Sequence, residues 1–355
     1  MATRLTLALI VLLALSLCGC DSDQDDPYDG YETPEIDWPS LDPNRYHWDG
    51  FQDPFFEGWF FRLVLPEQER SFAFIYSVQN PGAVTAGDGG SFIVVYSDDG
   101  LMVREDFPVE KFKASKQQMS VRVGDNRITE TSLTGACRDG DNQASWNVDF
   151  TVHEPWAKTM GMLTNIPFLP VNWYVGALRA SASGTINWNG EVFQFEDALL
   201  FQDHNWGDFF PDAYFWLNGM NFPDPDDAVA FAGGLVGSSD LGMFVWRRGD
   251  HRYEIRSQDL DSIFNMEADP ETGTITVNIY RNEDRFRLTG LFADSLPVLL
   301  PAPRENGYIP FTQMALTGRI HIEHFRLVNW FWQLQDEQWS ELAGVEIGGN
   351  YNDDR

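Results

Sequence analysis

The 355-residue chain reads as an all-β protein, a pair of antiparallel barrels or sandwiches placed one after the other. Three observations predict this. Apolar residues recur with period two in segment after segment. Turn-forming residues punctuate the chain at roughly 8–12-residue intervals. Several predicted strands are apolar on both faces, which suits a barrel wall packed inside and out.

The first strand starts at Trp59, with Trp59, Phe61, Leu63 and Leu65 on one face, and turns at Pro66-Glu67-Gln68-Glu69. Ser71–Val78 returns with Phe72, Phe74, Tyr76 and Val78 sharing a face, which predicts a hairpin. Further strands are expected at Ser91–Tyr96, Leu101–Arg104, Met119–Val123, Arg127–Leu133 and Ser145–Val152. Pro155–Pro170 is irregular. Val175–Trp188 and Glu191–Phe195 meet at Asn189-Gly190, a strong hairpin signal. Strands then follow at Tyr214–Phe222, Ala228–Val236, Gly242–Arg247, Arg252–Arg256, Ile263–Ala268, Thr274–Tyr280, Arg285–Phe292 and Thr312–His324. Trp330–Leu342 is the one helical candidate. Two successive lipocalin-like barrels would use this length well, with domains over 45–207 and 208–355.

The N-terminus reads as an export signal over residues 1–20. Arg4 precedes an apolar run, Leu5–Leu17, too short to cross a bilayer. Leu17-Cys18-Gly19-Cys20 resembles a bacterial lipobox with Cys20 as the lipidated residue, since Gly19 precedes it. Asp21 then resembles an inner-membrane retention signal. These features predict a lipid-anchored protein of the bacterial cell envelope, facing the periplasm or exterior, held to the membrane through Cys20. Removal of Cys18 and acylation of Cys20 leave Cys137, so no intramolecular disulfide is expected. Residues 21–44 are rich in Asp, Glu and Pro without Lys or Arg, and read as an acidic disordered tether.

The net charge of −30 argues against nucleic acid and against anionic lipid headgroups as partners. No Gly-rich phosphate loop and no nucleophile elbow is present, and no cofactor is expected. The six histidines are scattered; only His321 and His324 are close, and a spacing of three puts them on opposite faces of a strand, so no metal site is expected.

A dense polar stretch, Asp203-His204-Asn205-Trp206-Gly207-Asp208, is set between aromatic segments. It reads either as a tight aspartate-rich turn or as a functional cluster. Asp203, His204 and Asp208 on such a turn could converge with Glu57. A carboxylic acid in an aromatic pocket keeps its proton because burial disfavours the anion, and it can then protonate an alkene. Aromatic faces stabilise the cation formed. Asp203, His204 and Glu57 are the candidate catalytic residues; Trp59, Tyr76, Trp173, Trp206, Asp208, Trp216 and Asn221 are candidates for lining an apolar pocket.

At these residues the chain resembles the tocopherol cyclase family. The resemblance runs through Phe55-Phe56-Glu57-Gly58-Trp59-Phe60-Phe61, Ser71-Phe72-Ala73-Phe74-Ile75-Tyr76-Ser77 and Val171-Asn172-Trp173. It continues through Phe195-Glu196-Asp197-Ala198, Asn205-Trp206-Gly207, Phe215-Trp216, Asn221-Phe222 and Ala343-Gly344-Val345-Glu346-Ile347-Gly348-Gly349. It implies two lipocalin-like barrels and the cyclisation of a prenylated quinol to a chromanol. Asp203-His204 stands where plant-type cyclases carry Glu-Lys, and Asn218-Gly219-Met220-Asn221 where they tend to carry Gln-Cys-Asn. More distant relatives resemble carotenoid 1,2-hydratases, whose His-x-Trp is present as His204-Asn205-Trp206 while their later Tyr-x-Asp is absent. The expected ligand is an apolar isoprenoid or prenylquinol. A non-catalytic carrier of such a lipid is the alternative.

Overall fold

The computed structural model describes residues 42–349, apart from 84–88, 162, 164–168, 237–238, 270–271, 294 and 305–306. The expected signal segment, Cys20 and most of the acidic tether lie outside the described residues. Asp42 and Asn44 already belong to the folded body. The Asp42 carboxylate accepts the Met119 N–H at 2.7 Å, and buried Asn44 exchanges side-chain hydrogen bonds with Gln202 at 2.9 and 3.0 Å.

The protein is all-β, with two consecutive lipocalin-like antiparallel barrels. The first contains β1 (Phe56–Leu65), β2 (Arg70–Gln79), β3 (Gly90–Ser97), β4 (Met102–Phe107), β5 (Phe112–Ala114), β6 (Val121–Val123), β7 (Asn126–Ile128), β8 (Ser132–Asp139), β9 (Asn142–Trp156), β10 (Val171–Trp188) and β11 (Glu191–Gly207). The sheet runs in the order β4-β3-β2-β1-β11-β10-β9-β8-β7-β6-β5, and β4 comes round to touch β8 and β9. The second contains β12 (Ala213–Gly219), β13 (Ala228–Val236), β14 (Ser239–Arg248), β15 (His251–Arg256), β16 (Ser262–Asp269), β17 (Thr274–Arg281), β18 (Asp284–Leu291), β19 (Val298–Arg304), β20 (Gly307–Val328) and β21 (Phe331–Gly349). Its order is β15-β14-β13-β12-β21-β20-β18-β17-β16, with β19 on β20. In each barrel the first strand pairs with the last, β1 with β11 and β12 with β21, and the sheet curls until its far strands approach one another, β4 toward β8 and β14 toward β16.

Period two sorts the side chains. Phe72, Phe74, Tyr76 and Val78 of β2 enter the core of the first barrel, as their spacing predicts. Phe231, Phe244, Met266 and Val277 fill the second. A third buried cluster joins them: Val64, Tyr96, Trp173 and Phe201 from the first barrel pack with Trp216, Met220, Val245 and Met314 from the second. Strands apolar on both faces are explained by this junction. One face lines a barrel and the other meets its neighbour. At the Asn189-Gly190 hairpin both residues adopt positive φ, 52° and 92°, as a type I′ turn needs.

Two expectations are corrected. Trp330–Leu342 is strand, not helix: Asn329 and Trp330 take positive φ at a tight turn, and β21 pairs along β20 from Phe331 onward. Long-range pairing overrides the local preference there. Asp203–Gly207 is likewise no turn. It is the end of β11, flanked by β1 on one side and β10 on the other. The turn begins only at Gly207, whose φ is +151°, and where a Cβ would sit 2.3 Å from the Pro170 carbonyl oxygen.

Candidate active site

Because Asp203 and His204 are neighbours in a strand, they point to opposite faces of the sheet. In β1, Glu57, Trp59 and Phe61 face the lumen of the first barrel, while Phe60, Arg62 and Val64 face the junction. In β11, Gln202, His204 and Trp206 face the lumen, while Phe201 and Asp203 face the junction. The expected convergence of Asp203, His204, Asp208 and Glu57 therefore holds for one pair only, Glu57 with His204. Asp203 belongs to a separate site on the other side of the sheet.

At the junction, Asp203 is 2% exposed. Its Oδ2 accepts the indole N–H of Trp173 at 2.8 Å and of Trp216 at 3.0 Å, one from each barrel. Among the described residues its Oδ1 meets only the Asn205 amide, at 3.5 Å. Trp216 in turn packs edge-on against Phe60 and Phe201, with ring centroids 5.4 and 5.5 Å apart. Burial pushes the Asp203 carboxyl up to about 7, against the pull of the two indole donors.

A second buried carboxyl shares this junction. Glu346 of β21 accepts the Tyr214 hydroxyl at 2.6 Å, and that hydroxyl also lies 2.8 Å from Thr312 Oγ1. Burial raises Glu346 to about 7, and the Asp203 charge adds to the rise. Tyr96, whose pKa burial raises well above its ordinary value, feels Glu346, Arg62 and Asp203 together, and its hydroxyl meets Met314 Sδ at 2.8 Å. Arg62 crosses from the first barrel into the second. It donates to Asn218 Oδ1 at 2.9 Å, to the Leu316 carbonyl at 2.9 Å and to the Leu342 carbonyl.

On the lumen face, buried Glu57 is held from several sides. The backbone N–H of His47 reaches both carboxylate oxygens at 3.0 Å, His204 Nε2 lies 2.9 Å from Oε1, and His47 Nδ1 lies 3.1 Å from the same oxygen. Burial drives Glu57 well above the usual carboxylate range, opposed by backbone N–H groups of His47 and Trp48. Burial also lowers His204 well below its ordinary value and His47 to about 3, which favours the neutral form of both rings. Trp59 stacks on His204 at 4.6 Å and Trp206 on His47 at 3.7 Å.

The other expected residues fall apart from these two clusters. Tyr76 is deep in the first barrel, accepting the Trp146 indole N–H at 2.9 Å and donating to the Thr134 carbonyl. Asp208 accepts from the Gln52 amide at 2.7 Å. Asn221 follows β12 and bridges to Glu341 through the backbone.

The tocopherol cyclase-like family model matches residues 53–136 and 124–349 of this chain. The chain belongs to that family. A chloroplastic tocopherol cyclase from Zea mays is 28% identical over 244 residues, 54% of this chain and 52% of the maize protein. A protein from Oryza sativa subsp. japonica is also 28% identical, over 245 residues, with the same shares of 54% and 52%. The chain spans about half the length of these curated relatives. Among solved structures, one from Nitrosomonas europaea, described as an AttH candidate, superposes with a TM-score of 0.55 at 15% identity, covering 92% of this chain and 98% of that one. At that identity the likeness speaks for the fold alone.

Sequence reasoning missed Glu346, Tyr214, Tyr96 and Arg62 at the junction, and His47 in the lumen cluster. Glu346 lies inside the last family block, Ala343–Gly349, so a signal was present. Arg62 also had one: a charged residue among the apolar ones of its strand. His47 had none, because its partner His204 is remote in sequence.

Proposed function

We propose that this chain binds a prenylated hydroquinone or a related isoprenoid at the junction of its barrels and cyclises it through a carbocation, with Asp203 as the acid. One observation carries the reading. A buried carboxyl is held by two indole N–H groups on one oxygen, in an aromatic cluster contributed by both barrels. Family membership supports the reaction class.

In this reading the Asp203 carboxyl gives its proton to the less substituted carbon of a trisubstituted alkene. The π pair forms the new C–H bond, and a tertiary cation is left. The carboxylate produced keeps its two indole donors, which stabilise its charge where water is excluded. The faces of Trp216 and Phe60 offer negative π density to the cation. The phenol oxygen then attacks the cation, the C–O bond closes the ring, and the phenolic proton passes to a carboxylate. The net change is an isomerisation and needs no oxidant or reductant. The last proton goes back to Asp203 and restores the acid, with Glu346, hydrogen-bonded to Tyr214, as a second buried carboxyl in the same junction. His204 has no part in these steps, since it faces the lumen. The place of action is the bacterial cell envelope, reached through a lipid anchor on Cys20, where prenylquinols are within reach.

The test is incubation of the purified chain with a prenylated hydroquinone and detection of the chromanol by mass spectrometry. Chromanol formation that fails in Asp203→Asn, with binding retained, is the expected result. Binding without turnover in the wild-type chain would assign it instead as a carrier of the same class of lipid. A tertiary alcohol as product would assign it as a hydratase.

A further inference from the structure

The reaction above leaves the lumen cluster unused, and that cluster has the composition and spacing of a metal site. We propose that His47, Glu57 and His204 together bind one first-row divalent cation, such as Zn²⁺, at the mouth of the first barrel. The ligand atoms, one from each residue, lie within 4.8 Å of one another. The two nitrogen–oxygen separations are 2.9 and 3.1 Å. Metal–ligand bonds of about 2.0–2.2 Å at octahedral to tetrahedral angles put ligand atoms roughly 2.9–3.4 Å apart, so these separations already fit. Two imidazoles and one carboxylate suit zinc or ferrous iron, and leave positions open to water.

Hydrogen bonding within the cluster leads to the same conclusion. Glu57 accepts the His47 backbone N–H on both oxygens, which fixes the carboxyl group between the two imidazoles. His204 Nε2 faces Oε1, so the Pro43 carbonyl that interacts with this ring meets the other nitrogen, Nδ1. That contact favours a proton on Nδ1, although Nδ1 reaches no full hydrogen bond. Nε2 of a neutral ring then carries a lone pair, not a proton. That lone pair lies 2.9 Å from Glu57 Oε1, so a proton or a metal cation must stand between the two. With the proton on Nε2 instead, a fully buried Nδ1 lone pair would face a carbonyl oxygen. A proton on Glu57 fills the position between Nε2 and Oε1 in the metal-free chain, and a divalent cation can replace it on the same two atoms.

The surroundings act as outer-shell support. Trp59 stacks on His204, and its own indole N–H is tied to the Asn44 carbonyl at 3.0 Å; Trp206 stacks on His47. Rings held this way need little reorganisation to bind an ion. The His47 side chain is 12% exposed, which gives an entry path. A metal here would pin the segment around residue 47 across β1 and β11.

The experiment loads the purified chain with zinc sulfate, desalts it, and counts zinc by elemental analysis. We expect one zinc per chain. His47→Ala and Glu57→Gln should each weaken retention at least about tenfold, the range seen on loss of metal-site partners. His321→Ala, at an exposed His–Glu pair of the second barrel, should retain the ion. Melting curves report whether each variant folds. Cobalt(II) added to the wild-type chain gives a reading that needs no variant: d–d absorption bands and paramagnetically shifted histidine ring protons. A wild-type chain that holds well under one zinc and gives no cobalt bands overturns the proposal, as does zinc that persists in both variants.

Discussion

On the lumen face of β1 and β11 the buried carboxylate of Glu57 meets backbone N–H groups and two imidazoles; on the junction face of the same strands the carboxyl of Asp203 meets two indole N–H groups on one oxygen and a long amide contact on the other. Both carboxyls are buried among tryptophans, and burial raises both. The difference is in what remains free. Glu57 is tied from several directions, which suits a fixed ligand. Asp203 keeps one oxygen with a single long contact among the described residues, which suits a group that gives and regains a proton. Buried polar atoms are normally satisfied, so a nearly idle oxygen in an aromatic cluster points to function. A one-residue step along a strand is enough to separate the two kinds of site, because the second barrel covers a face that an isolated barrel would show to water.

The sharpest way to break this comparison is Asp203→Asn. Loss of the acid should cut turnover about a thousandfold, within the range for general acid catalysis and near 4 kcal/mol of barrier, while leaving ligand affinity within a few-fold. Rates with a prenylated hydroquinone and affinities from tryptophan quenching check the two parts. A variant that turns over normally would remove Asp203 from the chemistry. The next largest effect is expected at Arg62, which ties the barrels together. Arg62→Met keeps much of the stem but leaves Asn218 and the Leu316 and Leu342 carbonyls without their donor. At about 1–3 kcal/mol for each buried acceptor left unpaired, the three together should cost at least about 3 kcal/mol. Urea unfolding followed by fluorescence should show the two barrels separating into distinct transitions.

How much of this was legible beforehand depended on the range of the interaction. Alternation along Ser71–Val78 correctly sent Phe72, Phe74, Tyr76 and Val78 to one core, because a strand's faces are set by local geometry. The same rule would have separated Asp203 from His204. Asp, Asn and Gly together read as turn residues, and that reading hid the strand. Trp173 and Trp216 were singled out as aromatic lining, but their shared grip on Asp203 comes from β10 and β12 in different barrels. Such convergence depends on the docking of two sheets, which no local pattern encodes. His47 illustrates the same limit: its value as a ligand exists only once the segment before β1 folds over β11.

Glu346 sharpens the electrostatic side of the comparison. Its carboxyl has a folded-state value of about 7 against an ordinary 4.5. Between those values the folded chain holds a proton that the unfolded chain has lost. Stability from this group is therefore present below about pH 4.5 and falls as pH rises through 7, by up to about 3 kcal/mol at 1.36 kcal/mol for each pH unit. Glu346→Gln should flatten that part of the stability profile, leaving other slopes in place. Denaturation midpoints between pH 5 and 8 in the two proteins check this. An unchanged profile would mean that the junction carboxyls are solvated.

The smallest expected effect lies at Tyr76, deep on the lumen face and away from both clusters. Its hydroxyl accepts from Trp146 and donates to the Thr134 carbonyl, so Tyr76→Phe leaves one indole N–H and one carbonyl oxygen wanting a partner. The ring itself stays packed, so no cavity forms. We expect a loss of about 1–2 kcal/mol in urea denaturation and turnover unchanged within about twofold. A large fall in turnover would mean that substrate enters the first barrel rather than the junction. It would move the proposed chemistry to the lumen face, where Glu57 and not Asp203 is the acid within reach.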